Sequence, residues 1–295
     1  MSETTVPTEV TFPAGGLRAE ATITEVLPDH RAPGRLLVIT DRTPFHPLDP
    51  LWPDQPEDRG AMLVDGVPRP VAASVTAARR EGGPLLVDDE VDARRDEPGV
   101  LFRVAHVVED AGPRPEPGAR VELVVDEQRR RRLSAAHTAC HLLAYALNAA
   151  THELWRKPTA LDSRGHHDFD RATCVRTRHD VDGSIDHYRL GKSLRKRGFD
   201  GAGFLADLPR FVAEVNATLA GWIDADASVR IDCEGPLLTD RRQWVCELPD
   251  AAAEMPCGGT HVSRLGEIAA MTATAEFDDE AGELVIRNTT RPVHP

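Results

Sequence analysis

Two five-residue segments carry potential metal ligands at the same spacing: His137-Thr138-Ala139-Cys140-His141 and Cys257-Gly258-Gly259-Thr260-His261. Helical residues four apart lie on one face, about 5–6 Å from one another, so His137 and His141 can close on a single ion. Cys257 and His261 are also four apart, but the glycines between them favour a tight loop whose backbone amides can approach a ligand closely. Together the four residues His137, His141, Cys257 and His261 offer three imidazoles and a thiolate, a donor set that suits Zn2+. A lone His-x3-His pair is ordinary on a helix surface or in a core; it is the second pair that turns the pattern into a metal site. A closed structural zinc and an open catalytic zinc both fit this donor set. No Glu follows His137, which excludes the His-Glu-x-x-His arrangement of metalloproteases.

The surroundings of these ligands are basic although the chain is not. Arg129, Arg130, Arg131 and Arg132 run into the histidine segment, and Lys192, Arg195, Lys196 and Arg197 form a second cluster in a chain of net charge −13. That charge disfavours nonspecific binding to DNA or RNA by the molecule as a whole. A basic run is commonly a solvated face, but one abutting a metal site is where a polyanionic substrate would be held, so both clusters are expected RNA contacts. No apolar run of about 18 residues and no signal-peptide pattern is present, so the expectation is a cytoplasmic protein without a membrane partner, a monomer or homodimer. The five cysteines are odd in number and scattered, which argues against a disulfide framework and fits a reducing compartment.

Sixteen of the 23 prolines fall before residue 126. Because proline lacks the amide needed in helix interiors and central strands, residues 1–125 should form a β-rich domain of short strands, at 21–26, 35–40, 61–64, 101–108 and 121–125, closing as a barrel-like or curved sheet. The proline- and aromatic-rich stretch 41–60 reads as a loop that packs on or covers something. Residues 126–295 should form an α+β domain with helices on a mainly antiparallel sheet. In it, Ser134 is a candidate N-cap for a helix running to about Ala150. The stripe Leu208, Phe211, Val212, Val215, Leu219, Trp222 and Ile223 marks a second helix with a core face. Strands are expected at 229–232, 244–248, 268–274 and 283–288, and Gly183-Ser184 is expected to mark a turn. His166, His167, Asp168 and Asp170 form a polar cluster that could line a cleft, a solvated loop being the commoner fate of such a stretch.

The order of Thr43-Pro44-Phe45, Asp58-Arg59-Gly60, Val125-Asp126, His137-Thr138-Ala139-Cys140-His141-Leu142-Leu143, Val215-Asn216 and Cys257-Gly258-Gly259-Thr260-His261 resembles the freestanding alanyl-tRNA editing proteins. These are relatives of the editing domain of alanyl-tRNA synthetase and, more distantly, of threonyl-tRNA synthetase. The resemblance runs from about Ala21 to Asn288. It implies a deacylase acting in trans on mischarged aminoacyl-tRNA, with zinc on His137, His141, Cys257 and His261. The chain departs from the family pattern where members commonly carry Gly-Gly-Gln after Thr-Pro-Phe; residues 47–56 here contain Gln55 instead, and whether it takes that place is open at this level. Cys140 stands where the family often has Thr.

An aminoacyl-tRNA is an activated ester, so such an enzyme has to position water and stabilise an oxyanion. Zinc polarises a carbonyl and lowers the pKa of water toward ~7, and amides of Gly258, Gly259 and Thr260 beside Cys257 are candidate oxyanion donors, each worth about 3–4 kcal/mol. Thr138, Cys140 and Thr260 are candidates for reading a side-chain hydroxyl, as an editor of seryl-, glycyl- or threonine-like esters requires; helix packing or backbone capping is the plainer role for each. Two other classes compete: a zinc hydrolase of a small ester, and a non-catalytic, zinc-stabilised RNA-binding module.

Overall fold

The structure, a computed structural model, describes residues 6–51 and 55–293. It is an α+β protein with mostly antiparallel sheets, and it divides into two compact units. One holds the chain up to Arg130 with Ile231–Gln243 and Cys257–Thr260; the other holds Arg131–Arg230, Trp244–Pro256 and the chain from His261 onward.

The first unit contains β1 (Glu9–Val10), β2 (Arg18–Pro28), β3 (Arg35–Thr40), β4 (Arg42–Thr43), β5 (Gly60–Val64), β6 (Val67–Arg80), β7 (Leu86–Val87), β8 (Val100–Glu109) and β9 (Arg120–Val125). Seven of these form one sheet in the order β5-β9-β2-β3-β8-β6-β7, and β5 also pairs with β6. All five strands expected here are present. The long strand β6 was not expected, because Pro68 and Pro70 argue against a ladder. Both lie where β6 pairs with β5 and not yet with β8, so the missing amides cost little. The turn before it is Asp65-Gly66, with φ of 51° and 77°, a two-residue hairpin connection of the primed type. β3 is buried on both faces: Leu36 and Val38 enter one apolar cluster, Leu37 and Ile39 another. Gly60 is required by close approach, since a Cβ there would meet the Val124 carbonyl oxygen at 2.1 Å. Of the stretch 41–60, Leu48 packs on β6, exchanging backbone hydrogen bonds with Ser74 and Thr76 at 2.8 and 2.9 Å. Residues 52–54 lie outside the described residues.

The helix α1 (Glu127–Ala150) follows at once. It starts seven residues before Ser134, which is buried inside it. The cap is Asp126, whose Oδ1 accepts from the Arg129 amide at 3.0 Å. The arginines are good helix formers, so the helix includes the run instead of beginning after it. Then come α2 (Phe169–Thr173), β10 (Cys174–Asp180), β11 (Gly183–Arg189), α3 (Lys192–Lys196), α4 (Gly201–Ala206) and α5 (Leu208–Asp224). They are followed by β12 (Val229–Cys233), β13 (Arg242–Cys246), β14 (Ala253–Pro256), β15 (Ile268–Asp278) and β16 (Glu283–Pro292). The last two join β10 and β11 in an antiparallel sheet ordered β10-β11-β16-β15. Gly183-Ser184 begins β11 and is not the turn, which is Val181-Asp182. A Cβ on Gly183 would sit 1.8 Å from the Asn288 carbonyl oxygen, so neighbouring strand β16 dictates that glycine.

The expected stripe of α5 is buried at Phe211, Val215, Leu219 and Trp222, each worth about 1.5–3 kcal/mol. Asn216 lies beside it and solves an edge problem. Its amide donates to the Ala273 carbonyl at 2.9 Å and accepts from the Ala273 amide at 2.8 Å, occupying backbone groups on the open side of β15.

In the first unit, His106 is fully buried, with Nδ1 donating to the Val38 carbonyl at 2.9 Å and Nε2 2.8 Å from the Thr43 hydroxyl. That arrangement is a neutral ring, and burial lowers its pKa to about 4. A base whose folded pKa is depressed is protonated first in the unfolded chain. Its contribution is therefore complete above about pH 6.5 and is lost as pH falls toward 4. Chemical denaturation across that window should show a loss of up to ~3 kcal/mol attributable to this residue, and His106→Gln should flatten the slope. An unchanged slope in the variant would remove His106 from the account.

Candidate metal centre

His137 and His141 project from one face of α1, and their ring centroids are 4.7 Å apart. The ring of His261 lies 4.3 Å from that of His137 and 5.0 Å from that of His141. Cys257 belongs to the same five-residue loop as His261. The potential ligand atoms of His137, His141, Cys257 and His261 all lie within 4.8 Å of one another, close enough to bind a metal ion. His137 and Cys257 are buried, whereas His141 and His261 are only partly so.

Hydrogen bonds set the ring of His261. The Thr138 hydroxyl must donate to the Ser134 carbonyl, 2.8 Å away, because a carbonyl only accepts. It therefore accepts from His261 Nδ1–H at 3.1 Å and from the Val262 amide at 3.3 Å. With its proton on Nδ1, His261 carries its ring lone pair on Nε2. His141 Nε2 is buried and has no hydrogen-bond partner among the described residues. Burial, assisted by nearby His179, lowers the pKa of His141 to about 3, so its ring is neutral. An orphaned imidazole nitrogen within a set of two further imidazoles and a sulfur fits a borderline-soft cation.

Gln55 holds the loop. It is buried; its Oε1 accepts from the Thr260 amide at 2.8 Å and its Nε2 donates to the Thr260 hydroxyl at 3.1 Å. Gln55 therefore stays in contact with the ligand loop despite the altered residues around it. The same bond corrects one expectation, since the Thr260 amide is engaged by Gln55 and is not open as an oxyanion donor. Gly258 and Gly259 lie between Cys257 and Thr260 in the same loop.

Other expected residues are placed differently. Thr138 is fully buried and orients His261 instead of facing a substrate. Cys140 turns toward Ser184, Asp186 and Asp170, where burial and the acidic neighbours raise its thiol pKa well above the ordinary value. That environment favours the neutral thiol over the thiolate. Arg130 is no RNA contact: it is buried, ion-paired with equally buried Asp58, and donates to the Gly16 and Pro44 carbonyls at 3.2 and 2.7 Å. Arg129 donates to the Glu57 carbonyl at 3.1 Å, and Arg132 pairs with Asp182 at 2.6 Å, so the run is largely neutralised at home. Arg131 is only partly exposed. Lys192, Arg195, Lys196 and Arg197 are exposed on and just after α3. The cluster at 166–170 is not a plain solvated loop. Asp168 caps α2, and Asp170 accepts from the Tyr188 hydroxyl at 3.0 Å, burial raising its pKa to about 7.

Sequence reasoning missed His179 on β10. Its ring lies 5.5 Å from that of His137, and its buried Nδ1 has no partner among the described residues. The alternation of β10, one unrecognised strand in a charged stretch, was the available signal. Trp244 was seen as strand, not as site; its ring packs edge-on against His141 at 5.0 Å. A larger cavity of about 810 Å3 in the first unit, lined in part by Asp41, Arg42, Arg120 and Glu122, includes none of the four ligands.

A scan against protein-family models gives no match. Among curated proteins the chain is similar to an alanine–tRNA ligase of Akkermansia muciniphila, 33% identical over 129 residues. Those residues are 43% of this chain and 11% of the relative, so the chain spans about a tenth of that protein's length. The likeness relates the chain to alanine–tRNA ligase-type domains. Among the described residues no helix is long and apolar enough to cross a membrane.

Thr138→Val preserves shape and all four ligands but leaves His261 Nδ1–H without its acceptor. Metal affinity, measured by competition with a chromophoric chelator, should fall about 10–100-fold; unchanged affinity would refute the orienting role. Arg130→Ala strands a buried carboxylate and should lower the unfolding free energy by about 3–5 kcal/mol in urea titrations.

Proposed function

We propose that this protein is a zinc-dependent deacylase that hydrolyses the ester of mischarged aminoacyl-tRNA in trans. One observation carries the reading: a partly buried three-histidine, one-cysteine cluster in a chain with likeness to an alanine–tRNA ligase. When bound, zinc supplies Lewis-acid polarisation of the ester carbonyl. His137, His141, Cys257 and His261 hold it, Thr138 fixes the His261 tautomer, and Gln55 keeps the ligand loop closed. His179 Nδ1 offers an acceptor beside the cluster, and the Gly258 and Gly259 amides are the candidate donors toward a developing oxyanion. Lys192, Arg195, Lys196 and Arg197 are exposed basic residues available to meet phosphate, in a cytoplasmic setting.

The same reading takes residues 1–125 as the barrel-like domain and 126–295 as the deacylase domain. Hydrogen bonding of β5 on both sides, to β9 and β6, supports the first of these. Side-chain polarity is the natural basis of selection, because a site that hydrogen-bonds a hydroxyl rejects an analogue lacking it.

Purified protein should deacylate seryl-, glycyl- or threonyl-charged tRNA faster than alanyl-charged tRNA. Chelation or Cys257→Ala should bring the rate to background. Full activity of a metal-free Cys257→Ala/His261→Ala variant would overturn the reading. Equal turnover of small esters would indicate the broader hydrolase, and chelator-induced unfolding without turnover of any ester the RNA-binding module.

A further inference from the structure

Beyond the metal centre, the segment after α1 borders an open, shallow cavity of about 420 Å3, within the size range of small-ligand sites. Three flat rings border it. Those of His152 and His167 stack at 4.9 Å with 24° between planes, and Trp155 lies 5.5 Å from His167 at 34°. The rings are held in place: the His167 amide donates to His152 Nδ1 at 3.1 Å, and His167 Nδ1 is 2.9 Å from the Thr159 hydroxyl. Trp155 is 8% exposed, yet its indole N–H has no hydrogen-bond partner among the described residues.

The charge of the rim narrows the class of occupant. Arg156 and Lys157 line the cavity and no carboxylate does, in a chain of net charge −13. Arg156 is 76% exposed and shares its charge with Asp200. Lys157 Nζ donates to the Lys196 carbonyl at 2.9 Å, which fastens the rim to exposed Lys192, Arg195, Lys196 and Arg197. Flat aromatic surface next to a track of cations is the composition that binds single-stranded nucleic acid: rings stack on bases and cations follow phosphates.

We propose that this cavity is a nucleotide subsite, in which one base of a single-stranded RNA segment enters against Trp155 and His167, with its phosphates on Lys157 and α3. The choice of RNA rests on the function proposed above; the base-plus-phosphate chemistry does not. A free mononucleotide shares that chemistry, so both are probed. The measurement is anisotropy of a fluorescein-labelled RNA hexamer ending in cytidine-cytidine-adenosine, with adenosine monophosphate as competitor and the full-length protein in its metal-loaded form.

The wild type should bind the hexamer. Leu161→Glu, at a rim residue 54% exposed, and Lys157→Glu should each weaken it about tenfold or more while melting at the wild-type temperature. Trp155→Phe keeps the ring and removes the indole donor, and should weaken binding less than either. Wild-type affinity in both rim variants, or no binding of the hexamer at all, overturns the proposal. So does competition by the mononucleotide at concentrations equal to those of the hexamer, which would make the occupant a free nucleotide. Deacylation is scored separately: its absence together with intact, rim-dependent RNA binding removes the preceding reading and leaves this one standing.

Discussion

Three imidazole nitrogens and a sulfur gathered within 4.8 Å of one another make a donor set for a cation, and the rest of the site is arranged around that convergence. Among these donors, His141 Nε2 is withdrawn from water without a hydrogen-bond partner among the described residues. The protein keeps them convergent with neutral hydrogen bonds: Thr138 beneath His261, and Gln55 across Thr260. Neither restraint adds charge, so the ligand set keeps the electrostatic demand that favours a divalent ion.

The basic residues show the opposite arrangement. Arg130 and Asp58 neutralise one another deep in the first unit while satisfying carbonyls at Gly16 and Pro44. An ion pair so enclosed ties the start of α1 to three separate loops, and orientation is its better-attested use than net stability. Charge on α3 has no such duty and faces solvent. Position in the fold, not residue type, separates a structural arginine from one free to meet a ligand.

The metal ligands were legible because their signal is local: a four-residue helical interval in one segment and a glycine loop in the other. The α5 stripe was legible for the same reason. Ser134 has the residue type of a cap and precedes the apolar face, whereas Asp126 begins the helix and the arginines form its first turns. β6 was hidden by Pro68 and Pro70, although Asp65-Gly66 announces the hairpin. The contact of Gln55 with Thr260 and the burial of Arg130 against Asp58 depend on partners far along the chain, and no periodicity in one sequence reports such pairings.

The bond between Gln55 and Thr260 joins residues 205 positions apart. Closing so large a loop costs entropy before any contact rewards it, and contacts of that span form late in folding. During synthesis the helix with its two histidines is complete long before the cysteine-bearing loop emerges. A nascent chain that has not yet reached residue 257 holds only half of the candidate ligands, so a cation can meet the full set only after that loop has emerged.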